Sequence, residues 1–81
     1  MAKQIHIHYY ALLREQRGLS SETIHTSAQT ARDLFEELKS KYNLKLPTHL
    51  LKVAINNQFQ AWDTELTSGD ELVFIPPVAG G

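Results

Sequence analysis

Thr30-Ala31-Arg32-Asp33-Leu34-Phe35-Glu36-Glu37-Leu38-Lys39-Ser40-Lys41-Tyr42 is the stretch on which the fold turns. Ala31, Leu34, Phe35, Leu38 and Tyr42 recur at helical spacing, which lines one side of a helix with apolar groups and leaves the charges on the other. Thr30 supplies a hydroxyl to cap the first turn, with acidic Asp33 three positions on. Asn43-Leu44-Lys45-Leu46-Pro47 ends the helix, because Asn tolerates left-handed backbone and proline disfavours helix in the residue before it. This is the one long amphipathic helix the chain can form, so any sheet built by the rest can have only one face covered by it.

The flanking segments read as that sheet. Upstream, Lys3-Gln4-Ile5-His6-Ile7-His8-Tyr9-Tyr10 alternates, with Ile5, Ile7 and Tyr9 on one face and His6, His8 and Tyr10 on the other. Ala11 to Arg17 are good helix formers followed by Gly18, which predicts a helix of about two turns. Ser20 to Thr26 alternates around Thr23, Ile24, His25 and Thr26, and its thin apolar content suits an edge strand. Downstream, Leu51 to Ile55 is a strand, and Asn56-Asn57 is a tight return into a short strand over Gln58 to Trp62. Thr67-Ser68-Gly69-Asp70 is a second turn, and Glu71-Leu72-Val73-Phe74-Ile75 is the last strand, closed by Pro76-Pro77. The last strand is apolar enough to lie centrally beside the first, which would make the sheet mixed. The expected class is α+β: four or five strands, one main helix, and one domain over residues 1–81 with 76–81 as an extended tail.

Composition sets the outer limits. At 81 residues the chain is one small domain, and its 42% hydrophobic and 21% charged residues are the balance of a folded protein. Eight basic against nine acidic residues give a formal charge of −1 without a basic stripe, which argues against a nucleic-acid partner. The absence of cysteine excludes disulfides, thiolate zinc sites and cysteine nucleophiles. No apolar run reaches the roughly 20 residues needed to span a bilayer, and no signal-peptide core follows Met1, so a cytoplasmic location is expected and a membrane role is not.

Self-contained chemistry is hard to find in these residues. No nucleophile stands at a recognisable spacing from a base and an orienting acid, and Gly18 and Gly69 each stand alone rather than in a phosphate-cradling loop. His6 and His8 project to the same side of a strand, but a pair without a third ligand falls short of a zinc site, and no metal is expected. The unusual feature is the ending Val78-Ala79-Gly80-Gly81. Glycines carry no side chain to obstruct a narrow channel and reach backbone angles closed to other residues, so a carboxylate on Gly81 could be threaded into another protein's active site. Two prolines just before it remove amide donors, stop sheet pairing and stiffen the exit. Tyr10, Val73, Ile75 and Phe59 would meanwhile lie on the sheet face away from the main helix, as an apolar patch suited to a protein partner. The alternative is that the segment around Leu12 and Leu13, or the loop with Leu44 and Leu46, folds over it.

Tyr9-Tyr10-Ala11-Leu12-Leu13-Arg14-Glu15 followed by Gly18, Val53-Ala54-Ile55-Asn56 before the hairpin, Leu66-Thr67-Ser68-Gly69-Asp70-Glu71, and the ending Phe74-Ile75-Pro76-Pro77-Val78-Ala79-Gly80-Gly81 together resemble the small sulfur-carrier subunits of molybdopterin synthase. These belong to a ubiquitin-like sulfur-carrier family, and the likeness spans essentially the whole chain. It implies a β-grasp fold. It also implies that a ubiquitin-activating-type adenylyltransferase uses ATP to adenylate the Gly81 carboxylate, after which a sulfur donor converts it to a thiocarboxylate. The large synthase subunit would supply the catalytic residues, and sulfur would pass there to cyclic pyranopterin monophosphate, in an assembly of two small and two large subunits. No cofactor would be bound permanently. By the same resemblance Gly81 carries the sulfur, and Gly80, Ala79, Val78, Pro77 and Pro76 form the inserting tail. Tyr10, Phe59 and Ile75 are assigned to the partner interface, and Arg14 to a polar rim or to a solvated helix surface. The alternatives sharing this fold and ending are a ubiquitin-like protein modifier, a carrier for thiamine or tRNA thiolation, and a plain interaction domain.

Overall fold

The computed structural model describes residues 2–76. The order is β1 (Lys3–Tyr9), α1 (Ala11–Arg17), β2 (Ser21–Thr26), α2 (Ala31–Tyr42), a 3₁₀ turn over Thr48–Leu50, β3 (Lys52–Ile55), β4 (Gln58–Gln60) and β5 (Glu71–Ile75). The strands form one sheet in the order β2-β1-β5-β3-β4. β5 lies at the centre, parallel to β1 and antiparallel to β3, so the sheet is mixed as its apolar last strand predicts. Both hairpins run outward from this centre, β1 with β2 and β3 with β4.

Alternation decides which side chains meet the helix. Ile7 pairs with Leu72 and Tyr9 with Phe74, while Val53 and Ile55 stand opposite Phe74 and Leu72 on the other flank. All six are buried against Leu34, Phe35 and Leu38 of α2. Fully burying one such side chain contributes about 1.5–3 kcal/mol, so this layer is the main source of stability. Phe35, Trp62 and Phe74 close one part of it, with ring centroids 5.0 Å apart for Phe35 and Phe74 and 5.9 Å for the stacked Trp62 and Phe74.

The ends of α2 are satisfied as the sequence suggests. Asp33 N–H donates to the Thr30 hydroxyl at 3.2 Å, and Asn43 takes the left-handed turn at φ 56°. The loop after β4 supplies the remaining acceptors, since Ala31 and Arg32 N–H donate to the carbonyls of Thr64 and Trp62. That task takes Trp62 off the sheet: β4 stops at Gln60 rather than continuing to Trp62. Asn56 and Asn57 both have positive φ, 52° and 70°, as a two-residue hairpin turn between Ile55 and Gln58 requires.

Leu13 and Leu44 belong to the core, and Leu46 packs against it from the same side. The side chains of Leu13, Leu44 and Leu46 are thus engaged by the core, while Leu12 is exposed.

Candidate functional site

The face of the sheet away from α2 is laid out by register. Phe59 on β4 pairs with Ala54 on β3, Ala54 with Val73 on β5, and Val73 with His8 on β1. One row further along, Lys52 pairs with Ile75. Tyr9 pairs with Phe74, and Tyr10 continues in extended backbone at φ −126° and ψ 154°, which puts it beside Ile75. Phe59 is 69% exposed and Tyr10 52%, while Val73 and Ile75 are half-buried and Ala54 is buried among these neighbours. The Lys52 ammonium lies 5.7 Å from the centre of the Phe59 ring.

Tyr10, Ile75 and Phe59 therefore share one face, Tyr10 next to Ile75 and Phe59 across β3 at the sheet's edge. Tyr10 and Phe59 are open to solvent, and Ile75, on β5 between them, is half-buried. Lys52 and Ala54 complete the patch and were missed as site residues. The signal was present, because a strand with Leu51, Val53 and Ile55 facing inward must turn Lys52 and Ala54 outward.

The other half of this face is polar. His6 and His8 rings meet edge to face at 4.7 Å, His6 Nδ1 is 2.7 Å from the Thr23 hydroxyl, and His8 Nε2 is 3.2 Å from the Glu71 carboxylate. Among the described residues no group of three His, Asp or Glu side chains is placed to hold a metal ion. No helix among them is long and apolar enough to cross a membrane.

A clamp fixes the corner from which Tyr10 projects. Glu22 of β2 accepts the Tyr9 hydroxyl at 2.6 Å and both Nε and Nη2 of Arg17, at 2.9 and 2.8 Å. The Arg17 guanidinium in turn lies 3.6 Å from the centre of the Tyr42 ring on α2. Hydrogen bonds from Arg17, opposed by partial burial, hold the Glu22 carboxyl below the usual carboxylate range. Arg17 is raised by the same bonds, and burial with the Glu22 hydrogen bond raises the Tyr9 phenol. One carboxylate thus ties together β1, α1, β2 and, through the stacked ring, α2.

Pro76, which the sequence reading placed in the inserting tail, is buried and so belongs to the body. Pro77, Val78, Ala79, Gly80 and Gly81 lie outside the described residues. Arg14 is exposed on α1.

The sequence signature of the ThiS family matches residues 7–81. This chain belongs to the ThiS family. Relatives of this ThiS-family chain include the proteins named molybdopterin synthase sulfur carrier subunit from Haemophilus influenzae and from Escherichia coli. Each is 30% identical over 80 residues, which is 95% of this chain and 99% of the relative. Among solved structures, molybdopterin converting factor subunit 1 from Pyrococcus furiosus is similar with a TM-score of 0.75 at 28% identity, covering 94% of this chain and 99% of that one. At the level of fold alone, the chain is also like one in the complex of subunits 1 and 2 of the Helicobacter pylori molybdopterin-converting factor. That likeness has a TM-score of 0.64 at 24% identity and covers 96% of this chain and 99% of that one. The Caldiarchaeum subterraneum ubiquitin gives 0.65 at 15% identity, with 100% of both chains covered. A mixed five-stranded sheet packed on one main helix, with these neighbours, is the ubiquitin-like β-grasp fold.

Proposed function

We propose that this protein is a sulfur carrier in molybdenum cofactor biosynthesis. The observation that carries the proposal is the 30% identity, over 99% of their length, to two relatives named as sulfur carrier subunits of molybdopterin synthase. The family match runs through Gly81, the residue on which such chemistry would occur.

In this reading an ATP-dependent adenylyltransferase converts the Gly81 carboxylate into an acyl-adenylate, releasing pyrophosphate. The carboxylate resists nucleophiles until it has a good leaving group; once adenylated, it loses AMP to an incoming sulfur donor and becomes a thiocarboxylate. Gly80 keeps the approach slim, and Val78, Ala79 and Pro77 form the arm, with Pro76 as its base in the body. The partner that receives sulfur is the large synthase subunit, which supplies the catalytic groups for transfer to cyclic pyranopterin monophosphate. Tyr10, Ile75 and Phe59 are the docking contacts, because exposed aromatic and apolar groups on a rigid sheet lose little entropy when covered.

The test is the intact mass of the purified chain before and after incubation with the adenylyltransferase, ATP and a sulfur source, with the site located by fragmentation of the C-terminal peptide. Exchange of one oxygen for one sulfur at Gly81 is expected. No exchange, with the partners active on a control carrier, would refute the proposal; isopeptide adducts on other proteins would instead identify a protein modifier. A chain extended past Gly81 should fold normally and fail to load.

A further inference from the structure

Ala11 is a costly residue where it stands. Its φ of 51° puts an L-residue in the left-handed region, where Cβ crowds the following carbonyl oxygen. The other positive-φ positions among the described residues are Gly18, Gly69, Asn43, Asn56 and Asn57, residue types that enter this region readily. A glycine at position 11 would make the same turn without the crowding. Alanine does restrict the unfolded chain, but where φ is positive its strain outweighs that saving.

A strained methyl group can offset its cost by packing inside the molecule, and this one does not. Ala11 is exposed, while the core takes up Leu13 two residues later. It stands between Tyr10 and Leu12, which are exposed as well. The corner is nevertheless well fixed. The Tyr10 carbonyl accepts from Leu13 N–H at 3.1 Å and from Arg14 N–H at 3.4 Å, and Tyr9 N–H donates to Ser20. Strain at an over-determined, exposed position whose side chain does nothing for the fold points outward, to something the fold meets.

We infer that the Ala11 methyl is part of the docking surface, covered together with Tyr10 by the large synthase subunit. The footprint then extends from the sheet face onto the first turn of α1. The inference rests on the carrier reading above, and its occupant is the same partner. Its ground is continuity: Ala11 adjoins Tyr10, which adjoins Ile75 in the docking face. Alanine is kept at a left-handed position because its methyl is buried only in the complex, so the isolated chain bears a cost that the assembly offsets.

The experiment compares Ala11→Gly with the wild type in thermal unfolding and in calorimetric titration against the purified large subunit from the same organism. The variant is expected to melt at a higher temperature and to bind about fourfold more weakly, the factor that one buried methyl group confers. Leu12→Ala, with unstrained helical backbone in place of a left-handed turn, serves as a second variant and should not raise the melting temperature. A Gly variant that melts higher yet binds with unchanged affinity would overturn the inference, and so would one that melts lower. Wild-type protein that does not bind the large subunit would overturn the carrier reading itself, which the wild-type titration reveals before any variant is compared.

Discussion

Replacing Glu22 with Gln keeps the length and volume of the side chain and removes its charge. In the native clamp two carboxylate oxygens accept three hydrogen bonds, from the Tyr9 hydroxyl and from Nε and Nη2 of Arg17. Gln has one acceptor oxygen, and its amide nitrogen would face donors, so at least one charge-assisted bond is lost without replacement. Both side chains of the ion pair are largely shielded, with relative exposures of 18% for Arg17 and 13% for Glu22, so solvent does not screen the loss as it would on the surface. One hydrogen bond to a charged group corresponds to about 2 kcal/mol. For a domain of this size that lowers the melting temperature by about 8–16 °C.

The same substitution carries a pH signature. Because folding depresses the Glu22 pKa, its contribution is present above the ordinary carboxylate range and is lost as pH falls through the folded value. The gap between wild type and Glu22→Gln should be full at pH 7 and narrow towards acid, as the wild type loses what the variant never had. Urea unfolding followed by circular dichroism at pH 7 and at about pH 2.5 would measure both gaps. A gap below about 0.5 kcal/mol at pH 7, or one that acid leaves unchanged, would refute the clamp as a source of stability.

Phe59→Asp should leave the melting temperature within about 2 °C, as an exposed site on an edge strand allows, and weaken binding of the large subunit by about 2 kcal/mol or more in calorimetric titration. Leu34→Ala, in the buried seam between helix and sheet, should cost about 3 kcal/mol in urea unfolding. Thr30→Ala removes the acceptor for Asp33 N–H and should cost about 1 kcal/mol in the same assay. Asn57→Gly, at φ 70° in the hairpin, should raise the melting temperature by a few degrees because glycine takes that conformation without strain.

Local patterns carried most of the fold. The alternation from Ile5 to Tyr9, the helical spacing from Ala31 to Tyr42 and the paired asparagines each state their conformation within a few residues, and each element stands where that pattern puts it. The open face follows too, since the inward set of a strand names its outward set. What escaped was set by distant partners. Trp62 leaves the sheet because the first N–H groups of α2 need its neighbourhood's carbonyls, and Pro76 is buried although prolines suggest an exit. The 3₁₀ turn at Thr48–Leu50 has no periodicity to announce it. Ala11 gives no sign of a left-handed turn, since alanine is the strongest helix former and the residue type argues for the opposite conformation. The Glu22 clamp joins elements whose proximity is a product of folding.

The parallel pairing of β1 with β5 has a consequence for how the protein is made. β1 precedes every other strand in the chain and β5 follows them all, yet they are neighbours in the sheet. Until β5 arrives, β1 has an unpaired edge and β3 lacks its inner neighbour, so the hairpins cannot share a core. Folding must wait for the last strand, and the long loop that closes makes the step slow for so small a domain. A nascent chain interrupted before Glu71 would lack its central strand and be open to proteolysis. The topology thereby withholds the apolar face that Val73 and Ile75 complete from any chain that stops short of β5.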